Sequence, residues 1–86
     1  MNKGLGIKVY PNPATSYINI ETKTRTKTRT KYVLTLRNIE GQEVAKEKVE
    51  FTNVYKLDLT NFTNGIYFLL LQNDKENYLN KLIIEN

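Results

Sequence analysis

The chain has 86 residues, a formal net charge of +4, and neither cysteine nor histidine. This length allows one small domain with a single hydrophobic core, and the missing cysteine removes disulfides and thiolate nucleophiles. The missing histidine removes the commonest general base and transition-metal ligand, the nine carboxylates form no close pair, and Ser16 has no histidine to activate it. We therefore expect a protein that is not an enzyme and holds no cofactor and no metal.

Two short segments near the start alternate apolar and polar residues, which predicts strands over Leu5–Tyr10 and Tyr17–Glu21. Between them lies Pro11-Asn12-Pro13. Both prolines lack an N–H and restrict the residue before them to extended geometry, so neither can continue a ladder. This segment is predicted to form a stiff corner that ends the first strand.

From Thr22 to Lys31 threonine alternates strictly with basic residues. An extended chain would place on one face the five cations Lys23, Arg25, Lys27, Arg29 and Lys31. The composition is typical of a solvated loop or protruding hairpin, and a row of five cations is also a candidate polyanion-binding site. No aromatic residues are interleaved for base stacking, so no specific nucleic acid is expected as a partner.

The middle of the chain predicts a hairpin, with strands over Tyr32–Asn38 and Glu43–Phe51 and a turn that contains Gly41. In the returning strand Val44 has the opposite parity to Val49. Either a β-bulge shifts the register or one end of this strand leaves the sheet, and we expect a bulge near Lys46 to Lys48.

The last third predicts strands over Val54–Leu59, Gly65–Leu71 and Tyr78–Glu85. The continuous apolar run after Gly65 predicts a central strand covered on both faces, entered through a tight turn at Asn64-Gly65 and paired with the final strand. Seven short strands without an amphipathic helical pattern indicate an all-β fold, a seven-stranded antiparallel β-sandwich.

Four segments in this order resemble a known family: Val9 to Ile20 with its Pro-Asn-Pro, Leu34 to Val44 with its Gly-Gln, Leu57 to Leu69 with Asn-Gly-Ile-Tyr, and Lys81-Leu82-Ile83-Ile84. Together they are similar to the type A C-terminal sorting domain of type IX (Por) secretion substrates in Bacteroidetes. The resemblance implies an immunoglobulin-like sandwich over residues 7–86, with residues 1–6 an artificial start or linker remnant and 22–31 a low-complexity insertion.

The resemblance also implies a function and a location. In that family the domain is a non-catalytic signal that directs an exported cargo through the outer-membrane translocon. A sortase-like protease then removes the domain and attaches the cargo to the cell surface. We therefore expect the translocon and that protease as partners, anionic lipopolysaccharide as a further candidate partner for the basic row, and a secreted or cell-surface location reached through the periplasm and outer membrane.

The candidate sorting residues are Pro11, Asn12, Pro13, Gly65, Tyr67, Lys81, Leu82, Ile83 and Ile84. Each also has a structural interpretation: a rigid corner at the prolines, relief of backbone strain at Gly65, core filling by Tyr67 and edge protection by Lys81. An alternative function is an accessory module that binds surface glycan or protein, which would be favoured by an exposed row of Tyr10, Tyr17, Tyr32 and Tyr55. We expect a monomer or edge-paired dimer that does not span the membrane.

Overall fold

The computed structural model describes residues 7–22 and 28–85. These residues form seven β-strands and no helix: β1 Ile7–Tyr10, β2 Tyr17–Thr22, β3 Thr30–Asn38, β4 Glu43–Phe51, β5 Val54–Asp58, β6 Gly65–Gln72 and β7 Asn77–Ile84. The predicted all-β fold is confirmed. Leu5, which we expected to open the first strand, lies outside the described residues.

The strands form two sheets, in the orders β1-β2-β5 and β4-β3-β6-β7, and all strand neighbours are antiparallel. Both predicted hairpins, β3–β4 and β6–β7, are present. The arrangement is consistent with the predicted immunoglobulin-like sandwich. β6 is an inner strand and β7 an edge strand of the larger sheet, so the last described strand lies on a sheet edge.

The hydrophobic core lies between the two sheets, as period-2 alternation requires. Each strand contributes the side chains on its inward face, for example Ile18 and Ile20 from β2 and Leu34 and Leu36 from β3. The fully buried side chains with the largest volume are Ile18, Ile20, Leu34, Leu36, Leu59, Leu69, Leu71, Leu82 and Ile84. β7 is therefore part of the core and not an appended tail.

The outer side of β6 corrects one prediction. Tyr67, Leu69 and Leu71 are buried, but Ile66 and its outward-facing neighbours on β6 are only half-buried. The prediction of a strand covered on both faces was wrong. β6 has a neighbouring strand on each side within the sheet, but none of the described strands packs on the outer face of this sheet.

The predicted bulge exists, but its predicted position was wrong. The β3–β4 register shifts between Leu36 and Arg37, which face Ala45 and Glu43, so Val44 has no partner in the ladder. Lys46 to Lys48 pair in regular register. Side-chain parity indicated an irregularity between Val44 and Val49, and the register shift lies beside the turn, where Gly41 adopts a φ of +86°.

Candidate functional site

The outer edge of β7 is paired with the segment that follows β1. The Ala14 N–H donates to the Ile83 carbonyl at 2.8 Å, and the Glu85 N–H donates to the Ala14 carbonyl at 2.7 Å. These bonds form a parallel bridge between Ala14 and Ile84. We call residues 12–14 together with 81–85 the joint.

Asn12 extends this pairing with its side chain. Its Nδ2 donates to the Lys81 carbonyl at 3.1 Å, and its Oδ1 accepts from the Ile83 N–H at 3.1 Å. The side-chain amide thus replaces the backbone N–H and C=O that a paired strand residue would offer. An asparagine supplies both a donor and an acceptor here, whereas an aspartate would supply acceptors only.

The prolines explain why a side chain performs this role. Pro11 and Pro13 carry no N–H, and the peptide bonds before both are cis. Because neither proline offers an N–H, the chain leaves the β1–β2 ladder after Tyr10, as predicted for a corner. Ala14, which is fully buried, then provides the first backbone N–H that reaches β7.

Gly65 and Tyr67 lie in β6, the strand that pairs with β7. Gly65 pairs with Ile84 and Tyr67 with Leu82 across the β6–β7 ladder. The Tyr67 hydroxyl donates to the Thr63 carbonyl at 2.7 Å, and its ring contacts Phe62 edge-on. Gly65 has a φ of +155°, a backbone conformation that side chains disfavour. Both residues support the strand that carries the joint.

Comparison with known proteins identifies the family of the chain. The family model for the secretion system C-terminal sorting domain matches residues 8–85, which is nearly the whole chain. The chain belongs to this family. A comparison with curated proteins gave no match. Membership implies a C-terminal sorting signal of type IX secretion, typically non-catalytic, from a protein exported to the surface or secreted by a Bacteroidetes bacterium. Residues 7–22 and 28–85 contain no helix that could cross a membrane.

The basic row of the sorting domain is only partly within the described residues. Lys23, Arg25 and Lys27 fall outside them. Arg29 contacts Glu50, with 3.6 Å between its Nε and the carboxylate and 3.1 Å between Nη2 and the backbone carbonyl. Lys31 lies in β3, opposite Glu50. Polyanion binding by the whole row stays a prediction.

The four tyrosines that would mark a glycan-binding module form no common exposed row. Tyr32 and Tyr55 point to the core side of their sheets, and the Tyr32 hydroxyl donates to Glu76 at 3.0 Å. Burial, and then Glu76, raises the pKa of Tyr32 above its ordinary value. Tyr10 bonds to Glu21 at 3.1 Å, and the Tyr17 ring lies beneath the Lys56 ammonium at 4.5 Å.

The described residues contain no group of three or more side chains that could hold a metal ion. Among the carboxylates, Asp58 has a pKa lowered from 3.8, chiefly because its oxygen accepts hydrogen bonds from the Thr60 N–H and hydroxyl. This pattern closes a local turn.

Sequence analysis identified Asn12, Pro13, Lys81, Ile83 and Ile84 separately, and the structure brings them together. It missed Ala14 and Glu85, whose contributions to the joint are backbone hydrogen bonds. The only signal for Ala14 was a small apolar residue directly after the prolines. Pro11 shapes the corner but makes no hydrogen bond across the joint among those described.

Proposed function

We propose that the type IX translocon recognises the joint as one surface, so that the two ends of the domain form a single sorting signal. The observation that supports this most directly is the pair of hydrogen bonds from the Asn12 side chain to Lys81 and Ile83. Segments about seventy positions apart meet on the same sheet edge, as those separations of 69 and 71 residues show.

The surface of the joint has side chains suited to recognition. Asn12, Pro13 and Lys81 are exposed, whereas Ala14, Leu82 and Ile84 are buried and hold these exposed residues in place. The signal then depends on folding, because neither segment presents this arrangement in an extended chain. A translocon that recognises the joint therefore selects chains whose sorting domain is folded.

The later steps of the proposal are removal of the domain by a sortase-like protease and attachment of the cargo to the cell surface. Both rest on what the family resemblance implies. Their test is the mass of the surface-exposed cargo, which should lack the domain and carry an added surface molecule. Surface cargo that retains the whole domain would contradict this part of the proposal and leave recognition of the joint untouched.

The test of recognition is export of a fluorescent cargo, with its own secretory signal, fused ahead of the full chain in a Bacteroidetes host with a working type IX system. Asn12→Ala removes both side-chain bonds of the joint. We expect surface cargo to fall severalfold, with folded cargo accumulating in the periplasm.

Asn73→Ala is the matched control. The Asn73 amide also links a distant segment, because it donates to the Lys31 carbonyl at 3.1 Å. Its oxygen accepts local hydrogen bonds from the Lys75 and Glu76 N–H groups. It lies at the opposite end of the β6–β7 hairpin. If Asn73→Ala lowers export as much as Asn12→Ala at equal folded fraction, the loss is not specific to the joint, and recognition at the joint is contradicted.

A further inference from the structure

The outer face of the larger sheet is the side of β4-β3-β6-β7 that points away from the other sheet. It carries six apolar side chains, five of them on β6 and β7, where Ile66 pairs with Ile83 and Leu70 with Leu79. The six are Val33, Ile66, Phe68, Leu70, Leu79 and Ile83. Leu79 is 65% exposed. None of the described strands covers this face, so its apolar side chains contact solvent.

Basic side chains surround this apolar centre. The outer face carries five exposed cations and two acids. Lys46 and Lys48 lie on the edge strand β4, and Lys81 lies on the edge strand β7. The other two cations are Lys31 and Arg37, and the acids are Glu43 and Glu50. Both acids stand beside cations, because Glu43 faces Arg37 and Glu50 contacts Arg29. The cross-strand neighbours of Lys46, Lys48 and Lys81 are Thr35, Val33 and Phe68, none of them acidic.

The centre of the face also offers few polar groups. The inner strands β3 and β6 are paired on both sides, so their backbone N–H and C=O groups are satisfied within the sheet. Thr35, the polar residue between Lys46 and Leu70, is only 4% exposed. A surface with an apolar centre, satisfied backbone groups and cations at its rim can enter a water–lipid boundary at low cost.

We propose that the outer face of the larger sheet docks on an anionic lipid surface. The apolar side chains contact the acyl boundary, while lysines at the rim extend their ammonium groups to negative headgroups. An open hollow of about 530 Å³ is lined by Lys31 and Lys48 and also by Glu50 and Asp74, so it adds no net positive charge for a headgroup. A second copy of this chain is disfavoured, because stacking two such faces brings like charges together.

This docking goes beyond the sorting role. It shares Lys81 and Ile83 with the joint, so the variants that test it are placed outside the joint. The test is co-sedimentation of the purified full chain with phosphatidylcholine vesicles, with and without phosphatidylglycerol. We expect binding to the anionic vesicles that weakens with salt, and little binding to the neutral ones. Lys46→Glu/Lys48→Glu, on the strand farthest from β7, should lower the affinity by at least about fivefold per lysine.

Matched variants on the other sheet serve as controls. Lys8→Glu/Lys56→Glu makes the same change in net charge on exposed positions of β1 and β5, and should lower binding much less. Leu79→Ser should weaken binding about tenfold, whereas Val54→Ser, at a position 46% exposed on β5, should not.

Three results would overturn the proposal. The first is no binding to anionic vesicles. The second is an equal loss from the two pairs of charge reversals, which would mean that net charge alone decides binding. The third is full binding by Leu79→Ser together with complete displacement by heparin, which would indicate a polyanion or acidic protein partner and no lipid docking.

Discussion

Asn12 and Tyr67 illustrate two different roles for residues that the family resemblance singles out. Asn12 is exposed, and its amide joins two segments at the surface. Tyr67 is 6% exposed, and its hydroxyl bonds within the loop that precedes it. A need for Tyr67 is explained by folding alone, whereas Asn12 lies where a partner can contact it.

Tyr67→Phe should therefore act on stability. It removes the donor to the Thr63 carbonyl and should lower the free energy of unfolding by about 1 kcal/mol. Urea denaturation measures this change, with Tyr17→Phe, whose ring is 36% exposed, as a control expected to be near neutral. Export per folded molecule should not change, and a loss of export without a loss of stability would instead assign Tyr67 to recognition.

The stability of the domain should depend on pH through Asp58. Its hydrogen bonds with Thr60 lower its pKa below the ordinary value of 3.8, so its ionised form stabilises the folded state. This contribution is present above the unfolded-state pKa and is lost as pH falls through the folded-state pKa. Asp58→Asn should lower the melting temperature near neutral pH, and the difference from the parent should shrink in strong acid. A difference that is constant with pH would contradict this.

At the scale of elements, β7 has two faces with different roles. Leu82 and Ile84 are fully buried, while Leu79 is 65% exposed and Lys81 points to solvent. The same strand therefore completes the core and presents part of the joint. Its alternation was readable from the sequence because side chains of a strand point to opposite faces with a period of two.

Leu82→Ala should lower the free energy of unfolding by about 2–5 kcal/mol, because it leaves a cavity in the core. Leu79→Ala on the same strand should change it by less than about 0.5 kcal/mol. Chemical denaturation of both variants measures the contrast. Equal effects would mean that β7 does not bury one face as described.

The sequence was less informative about contacts between distant elements. The joint is made by a side-chain amide and by backbone groups, so neither hydrophobic periodicity nor parity signals it. The bulge at Val44 shows a related difficulty, since parity indicated an irregularity without locating it. The exposure of the outer side of β6 depended on which strands flank β6, which the apolar run alone did not reveal.

At the scale of the whole molecule, folding and the signal are linked. The final strand fills the core, so deletion of residues 81–86 removes Leu82 and Ile84, each of which contributes on the order of 2–5 kcal/mol. A small domain is stable by only about 5–15 kcal/mol. We expect the truncated chain to be largely unfolded, which circular dichroism and amide chemical-shift dispersion would show. A folded truncation would contradict this.

Truncation therefore cannot separate recognition from folding, whereas point substitutions at exposed positions can. Lys81→Glu changes an exposed side chain of the joint and should leave stability within about 0.5 kcal/mol. Together with Asn12→Ala it forms a double-mutant cycle. If both residues act on one recognised surface, their effects on export are not additive.

The most direct test of the central claim is this double-mutant cycle, measured as surface cargo per folded molecule for the parent, Asn12→Ala, Lys81→Glu and the double variant. If the joint is one recognised surface, each single change lowers export. The double variant then exports only slightly less than the single variant with the lower export. If the two losses simply multiply, the segments are independent signals. If neither single change lowers export, the joint is not what the translocon recognises.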